Sequence, residues 1–444
     1  MSTSLIAIAL LSAPPNLVLV IADDCTKGDL GVYGGQAATP NLDRLAAEGM
    51  TFNACFQAAP MCSPTRHNLY TGLYPVRSGA YPNHTFVRPG VKSVVPYLRP
   101  AGYRLALSGK RHVNPQSVFD FEYSGRDNNP DMEAVDRLMA ECAASDTPLC
   151  LFACSNEPHT PWDKGDASAY DPASLTLPPT WVDTPRTRSD YAKYLAEVTY
   201  FDSQVGRITE LLKKHGLTGD TLFVVLSEQG SSFPLAKWTL YDAGIGSGMI
   251  VRWPGRVAAG SESDALVEYV DILPTFLEAA GVAVPDVLEG RSLLPVLTGE
   301  TDCHKEHVYA IQTSRGINDG PDHYGRRSVR DARYKLIHNL SPEATFRGAV
   351  TTQPLFAEWR AAAETDPRTA MLVEKVTSPP EWELFDTRAD PFELTNLAGS
   401  PELASVEAGL RDKLAAWMKS QGDEGHATEM RALERMRRGR RKRR

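Results

Sequence analysis

The chain has 444 residues, 42% of them apolar and 23% charged, enough to bury one large α/β core and a smaller one; this excludes a disordered or fibrous protein. Its formal net charge of −8 conceals a basic C-terminus: residues 431–444 hold nine of the 47 Lys and Arg and one of the 55 Asp and Glu, leaving 38 basic against 54 acidic side chains elsewhere. So acidic a body argues against a nucleic-acid binder.

No run is long enough to span a bilayer as a helix. Residues 4–13 have the apolar core and small-residue end of a signal peptide, although no Lys or Arg precedes them. Residues 1–14 read either as a leader, implying a periplasmic or secreted protein, or as an apolar arm, which leaves the cytoplasm open. Residues 16–21 (NLVLVI) form an unbroken apolar run of the kind that fills a strand buried on both faces, ending at Ala22-Asp23-Asp24. A helix follows, with Thr39 as N-cap, Pro40 in first position and Gly49 beyond its end. A strand near 50–56 leads into PMCSPTRHNLYTG at 60–72. There Ser63 is the expected N-cap, Pro64 the first helical residue and Gly72 the exit. Cys62 would then face a helix N-terminus, which favours a thiolate or a bound anion, with Arg66 adding charge. The bland alternative is a small buried hydrophobe.

The buried-strand pattern recurs at 103–108, 149–154, 221–226 and 248–253, with helices predicted at 132–144 and 189–215. This alternation predicts an α/β protein with a large, mostly parallel, doubly wound sheet, whose functional groups collect beyond the strand C-termini. From about residue 305 the pattern changes to strands at 307–312, 328–338 and 383–386, a helix-containing insertion at 340–380, and a helix at 401–420. These read as a smaller antiparallel sheet packed by a C-terminal helix. The expected organisation is therefore a catalytic domain at 15–318, a subdomain at 319–425 and a basic, disordered tail at 426–444. Seven cysteines, an odd number with no C-x2-C pair, suggest neither a disulfide framework nor a zinc ribbon.

After successive strands come Asp23 and Asp24; Lys110 and His112; His159; and Glu228 and Gln229, with Lys237 close behind. A parallel sheet would gather all of them at one edge with Cys62. Three carboxylates and an amide are hard oxygen donors suited to Ca²⁺ or Mg²⁺. The surrounding lysines, histidines and arginine suit a tetrahedral oxyanion.

The motif CSPTR at 62–66 followed by LYTGLYP at 69–75 resembles the signature of the formylglycine-dependent sulfatases of the alkaline-phosphatase superfamily. NLVLVIADD at 16–24, TPNLDRLA at 39–46, GKRH at 109–112, VDILPTFLE at 270–278 and ELFDTRADP at 383–391 support it. The resemblance implies that Cys62 is oxidised by a maturation enzyme to formylglycine, whose hydrate is the nucleophile. It implies that Asp23, Asp24, Glu228, Gln229 and the modified Cys62 hold Ca²⁺, with Mg²⁺ as the alternative. Arg66 would brace the nucleophile, Lys110 and Lys237 would hold sulfate, His159 would protonate the leaving group, and His112 would take the nucleophile's proton.

SEQG at 227–230 departs from the usual Asp followed by Asn or His, so Glu228 and Gln229 are each one methylene longer. GKRHV at 109–113 and the 227–237 segment resemble the heparan N-sulfatase-like subgroup, which includes bacterial polysaccharide sulfatases. A sulfated carbohydrate is the expected substrate, with His84, Arg315, His323, Arg326 and Arg327 as candidates to grip a uronate or second sulfate. The leading expectation is O-sulfate ester hydrolysis. The alternatives are an N-sulfoglucosamine sulfohydrolase, a phosphonate or phosphodiester hydrolase, and a non-catalytic glycan-binding pseudoenzyme.

Overall fold

The computed structural model describes residues 14–436 except 316, 318, 319 and 322; residues 1–13, most of the segment read either as a leader or as an apolar arm, and the basic residues after Met436 lie outside them. The central strand β1 (Asn16–Ile21) is buried along its whole length. Its side chains alternate between two cores: Leu17, Leu19 and Ile21 join one, Val18 and Val20 the other. Burying each contributes about 1.5–3 kcal/mol, which is why so apolar a run can only be a central strand.

The remaining strands of the large sheet are β2 (Met50–Phe56), β3 (Arg104–Gly109), β4 (Glu122–Ser124), β5 (Leu149–Cys154), β6 (Thr221–Leu226), β7 (Gly246–Arg252), β8 (Ser261–Ser263) and β9 (Val267–Glu268). They lie in the order β4-β3-β5-β1-β6-β7-β2-β8, with β9 also on β2. Every pairing is parallel except those of β7, which runs antiparallel to β6 and β2. The link from β6 to β7 carries only the short helix Asp242–Ile245, too little for a parallel crossover. The 227–245 loop therefore stays at the C-terminal edge of β6.

Helix Pro185–Lys214 covers the Val18 face, its Tyr191, Leu195, Val198, Phe201, Val205 and Ile208 in that core. It starts four residues earlier than Ser189 because Thr184 is the true cap, accepting from Thr187 N at 3.1 Å, with Pro185 in the first turn. On the Leu17 face lie Cys62–Thr71 and Ile272–Ala279, through Leu69, Tyr70, Leu273 and Phe276.

The small sheet orders β10 (Val308–Gln312), β11 (Arg326–Arg330), β12 (Tyr334–Asn339) and β13 (Trp382–Asp386), all antiparallel. The single strand expected at 328–338 is a hairpin. Asp331 Oδ1 accepts from Arg333 N and Tyr334 N, both at 2.7 Å, and turns the chain. Helix Ala404–Gln421 packs on this sheet through Leu410, Leu414 and Trp417. The 340–380 insertion is helical, at Ala349–Thr352, Pro354–Ala363 and Pro367–Thr377. Residues 426–436, expected to be disordered, fold as helix His426–Met430 and the 3-10 turn Ala432–Arg435, and Met436 forms a β-bridge with Thr85.

Candidate active site

Strand ends deliver the site. After β1, Ala22 N still bonds to Leu226 O and Asp23 N to Glu157 O, which extends the sheet to the two aspartates. At the end of β3, Gly109 takes φ 101°, where a Cβ would lie 2.0 Å from Cys154 O; only glycine can turn Lys110 and His112 inward there. Asp24, His84, His112, Glu228, Leu235 and Trp238, all non-glycine, also have positive φ. Strained backbone of this kind persists only where its surroundings over-determine it.

The helix carrying Cys62 begins two residues earlier than the sequence suggests. Met61 is the N-cap, without a side-chain bond, and Cys62 is the first helical residue. Ser63 Oγ instead lies 3.4 Å from His67 Nδ1, and Pro64, third in the helix, removes an N–H that would lack an intrahelical partner. Gly72 closes the helix at φ 63° as expected. All ten helical residues are buried, and Cys62 is 3% exposed. Burial, then the Asp23 charge, push the Cys62 thiol up to about 12 despite Lys237 and Lys110. Unmodified Cys62 is thus a poor thiolate nucleophile, contrary to the reading of the helix N-terminus alone.

Asp23, Asp24, Cys62 and His159 each offer one donor atom within 4.8 Å of the others. His159 Nε2 is 3.7 Å from Asp24 Oδ2, and Lys237 Nζ donates to the same oxygen at 2.6 Å. Ser232 Oγ donates to it as well, at 2.8 Å, from inside the loop the sequence points to, although no motif marks this serine. Lys110 Nζ pairs with Asp23 Oδ2. Burial alone would lower the Lys237 pKa, and the Asp24 charge more than offsets this.

Glu228 and Gln229 divide. Gln229 Nε2 donates to Asp24 Oδ1 at 2.7 Å, and its Oε1 is buried without a hydrogen bond among the described residues, as is Asp23 Oδ1. These two acceptors suit a hard cation beside the four-donor cluster. Glu228 lies outside that cluster: its Oε1 is 2.8 Å from Arg66 Nε. Glu228 N donates to Tyr269 Oη at 2.9 Å, which helps hold the residue there. Arg66 also approaches Asp23 Oδ2 at 3.6 Å and donates to Lys110 O and Ala22 O.

The substrate-gripping candidates scatter. His84 lies at the site, with Nδ1 2.8 Å from His112 Nε2. Arg315 is beside it, its carbonyl accepting from Asn83 N at 3.2 Å. His323 packs edge-on against His426. Arg326 and Arg327 are 1% and 0% exposed, within β11. Arg326 donates to Tyr324 Oη at 2.5 Å; Arg327 pairs with Asp423 and, at 2.8 Å, with Glu429. These two are internal ties rather than ligand contacts: carboxylates about a hundred positions later hold Arg327, and the Tyr324 and Phe346 rings lie against Arg326.

The chain matches the Sulfatase family over residues 15–282 and the family described as N-sulphoglucosamine sulphohydrolase, C-terminal, over residues 234–347. It is 32% identical over 426 residues to an ulvan-active sulfatase of Formosa agariphila, covering 93% of this chain and 82% of that protein. It is 29% identical to the N-sulphoglucosamine sulphohydrolase of Homo sapiens, covering 91% and 90%. Among solved structures, BT4656 in complex with its substrate D-glucosamine-2-N,6-O-disulfate superposes with a TM-score of 0.69 at 21% identity, covering 93% and 99%, a likeness of fold. With a family match across more than half its length and a relative this similar, the chain belongs to the sulfatase family, enzymes that hydrolyse sulfate esters.

Proposed function

We propose that the chain removes O-sulfate groups from a sulfated carbohydrate, using a formylglycine made from Cys62 and a bound Ca²⁺. The observation that carries this reading is the convergence of Cys62 with Asp23, Asp24 and His159 between two lysines. An ulvan-active relative and a neighbour bound to a glucosamine disulfate support a sulfated sugar as substrate. The match of residues 234–347 to the N-sulphoglucosamine sulphohydrolase C-terminal family favours N-sulfate as the second reading.

Asp23, Asp24 and the Gln229 carbonyl would hold the cation, which supplies Lewis-acid polarisation of a sulfate oxygen. Hydrated formylglycine at position 62 supplies an oxygen nucleophile. Arg66, pinned by Glu228 and two carbonyls, fixes that position from behind. Lys110 and Lys237 offer ammonium groups to sulfate oxygens, each already held by an aspartate. His159, its Nδ1 anchored 2.7 Å from Thr160 O, keeps Nε2 for proton transfer to the departing alcohol, and His112 accepts a proton from the nucleophile.

The test is sulfate release from defined O-sulfated and N-sulfated oligosaccharides, set against phosphodiesters, after co-expression with a formylglycine-generating enzyme. Turnover of phosphodiesters alone would sink the sulfatase reading for this substrate class. An unconverted Cys62 in the tryptic peptide, with no bound calcium, would make the chain a glycan-binding pseudoenzyme.

A further inference from the structure

Two separate loops bring two histidines together beside Lys110. His84 follows the short helix Pro75–Ser78 and His112 follows β3, 28 positions apart. His112 Nε2 is 2.8 Å from His84 Nδ1, with ring centroids 4.7 Å apart and ring planes tilted by 42°. Their φ angles are 46° and 56°, left-handed values that few residues other than glycine adopt. Two such backbones meeting through their side chains mark a contact the fold is built to hold.

A contact between two ring nitrogens is a hydrogen bond only when one of them carries the hydrogen. Burial first, and then Lys110, hold both rings below the ordinary histidine range, so both are neutral and their tautomers must match. His112 Nδ1 is buried and makes no hydrogen bond among the described residues. A histidine that accepts a proton needs its lone pair at such an open nitrogen, which places the resting hydrogen on Nε2, facing His84. His84 then carries its own hydrogen on Nε2. Asn83 Nδ2 lies 3.3 Å from that atom, and a half-turn of the amide, which exchanges its nitrogen and oxygen, would set an acceptor against the Nε2 hydrogen.

We propose that His84 is a positioning residue for His112: its Nδ1 accepts the His112 Nε2 hydrogen, orients the ring, and keeps the His112 Nδ1 lone pair available in a single tautomer. This rests on the sulfatase reading above, and it gives His84 a task other than gripping a sugar substituent. When His112 takes a proton on Nδ1, the new positive charge is shared with the His84 lone pair through the same bond.

The experiment compares matured wild type, His84→Ala and His84→Asn on 4-nitrophenyl sulfate, a substrate with no sugar to grip. Asparagine tolerates the left-handed backbone and places an amide near the lost Nδ1. His84→Ala should lower kcat roughly 10- to 100-fold, as loss of an orienting partner does, with KM little changed, and His84→Asn should recover most of it. In ¹⁵N-histidine NMR, wild-type His112 should report one tautomer and His84→Ala a mixture. Unchanged kcat on the aryl sulfate, with KM raised only on sulfated glycans, would overturn the proposal, as would mixed tautomers in the wild type. If matured wild type releases no sulfate at all, the functional reading fails, and the NMR result alone decides the His84–His112 pairing.

Discussion

Arg66 Nε lies 2.8 Å from Glu228 Oε1, and neither side chain is exposed. A guanidinium serving Glu228 and Asp23 in a sealed site makes the extra methylene of Glu228 intelligible: it lets the carboxylate reach Arg66. Removing the arginine takes the counter-charge from Glu228 and leaves Asp23 with Lys110 alone. Arg66→Ala should cost roughly 3–5 kcal/mol in urea unfolding, and Arg66→Lys should recover only part of it because a lysine lacks the planar fork. A loss below 1 kcal/mol would show that the pair is not a structural tie.

Cys62→Ala removes one sulfur from a packed helix and should shift stability by only about 1 kcal/mol while abolishing sulfate release. Thermal melting and aryl sulfate turnover measured on the same preparation check both halves. Wild-type rates in this variant would refute the nucleophile assignment.

Calcium should stabilise the protein by mass action. At one hundred times its dissociation constant the gain is about 2.7 kcal/mol, and EDTA should reverse it. In Asp24→Ala, which also strips Lys237 of its partner, the calcium-dependent rise in melting temperature should vanish. A full rise in that variant would place the ion elsewhere.

His159→Ala should slow sulfate esters of poor leaving groups far more than activated aryl sulfates, by roughly 10²- to 10⁴-fold if His159 is the general acid. Equal losses on both substrates would deny it that role.

Asp271 carries a stability prediction away from the site. It accepts from Glu268 N and Arg291 N, both at 2.9 Å, and pairs with Lys305 at 2.8 Å and His304 at 3.2 Å. Burial would raise its carboxyl, but Lys305 and His304 hold it down at about 2. The folded value lies below the unfolded one of about 3.9, so this contribution is whole above roughly pH 4 and is lost as pH falls towards 2. Asp271→Asn should therefore lack about 2–3 kcal/mol of the wild type's acid sensitivity in urea midpoints compared at pH 5 and pH 2. Parallel curves for the two proteins would contradict the assignment.

The parts of the molecule legible in the sequence are those set by local pattern. NLVLVI at 16–21 could only be a central strand, and Gly72 ends its helix where expected. The adjacent parallel strands β1, β5 and β3 carry Asp23, His159 and Lys110 to one edge without any knowledge of long-range contacts. What stayed hidden depends on distant partners. Arg326 and Arg327 look like solvent-facing charge until Tyr324, Asp423 and Glu429 close over them. Likewise, nothing near His84 announces His112, and the reversal of β7 follows from a connection without a crossover helix. The start at Cys62 rather than Pro64 turns on a cap, Met61, without a side-chain bond, a weak signal in any sequence.

The burial of Cys62 also imposes an order of events in time. Its helix is covered along every residue, with Tyr70 wedged among Phe119, Phe121 and Phe152. A second enzyme cannot close its own catalytic pocket around a sulfur so enclosed without first unravelling the core. The oxidation proposed for this cysteine therefore has a deadline: it is done on the extended chain or not at all. On that proposal a molecule that folds early keeps an unmodified Cys62, and the active fraction of a preparation would record a race between folding and the modifying enzyme.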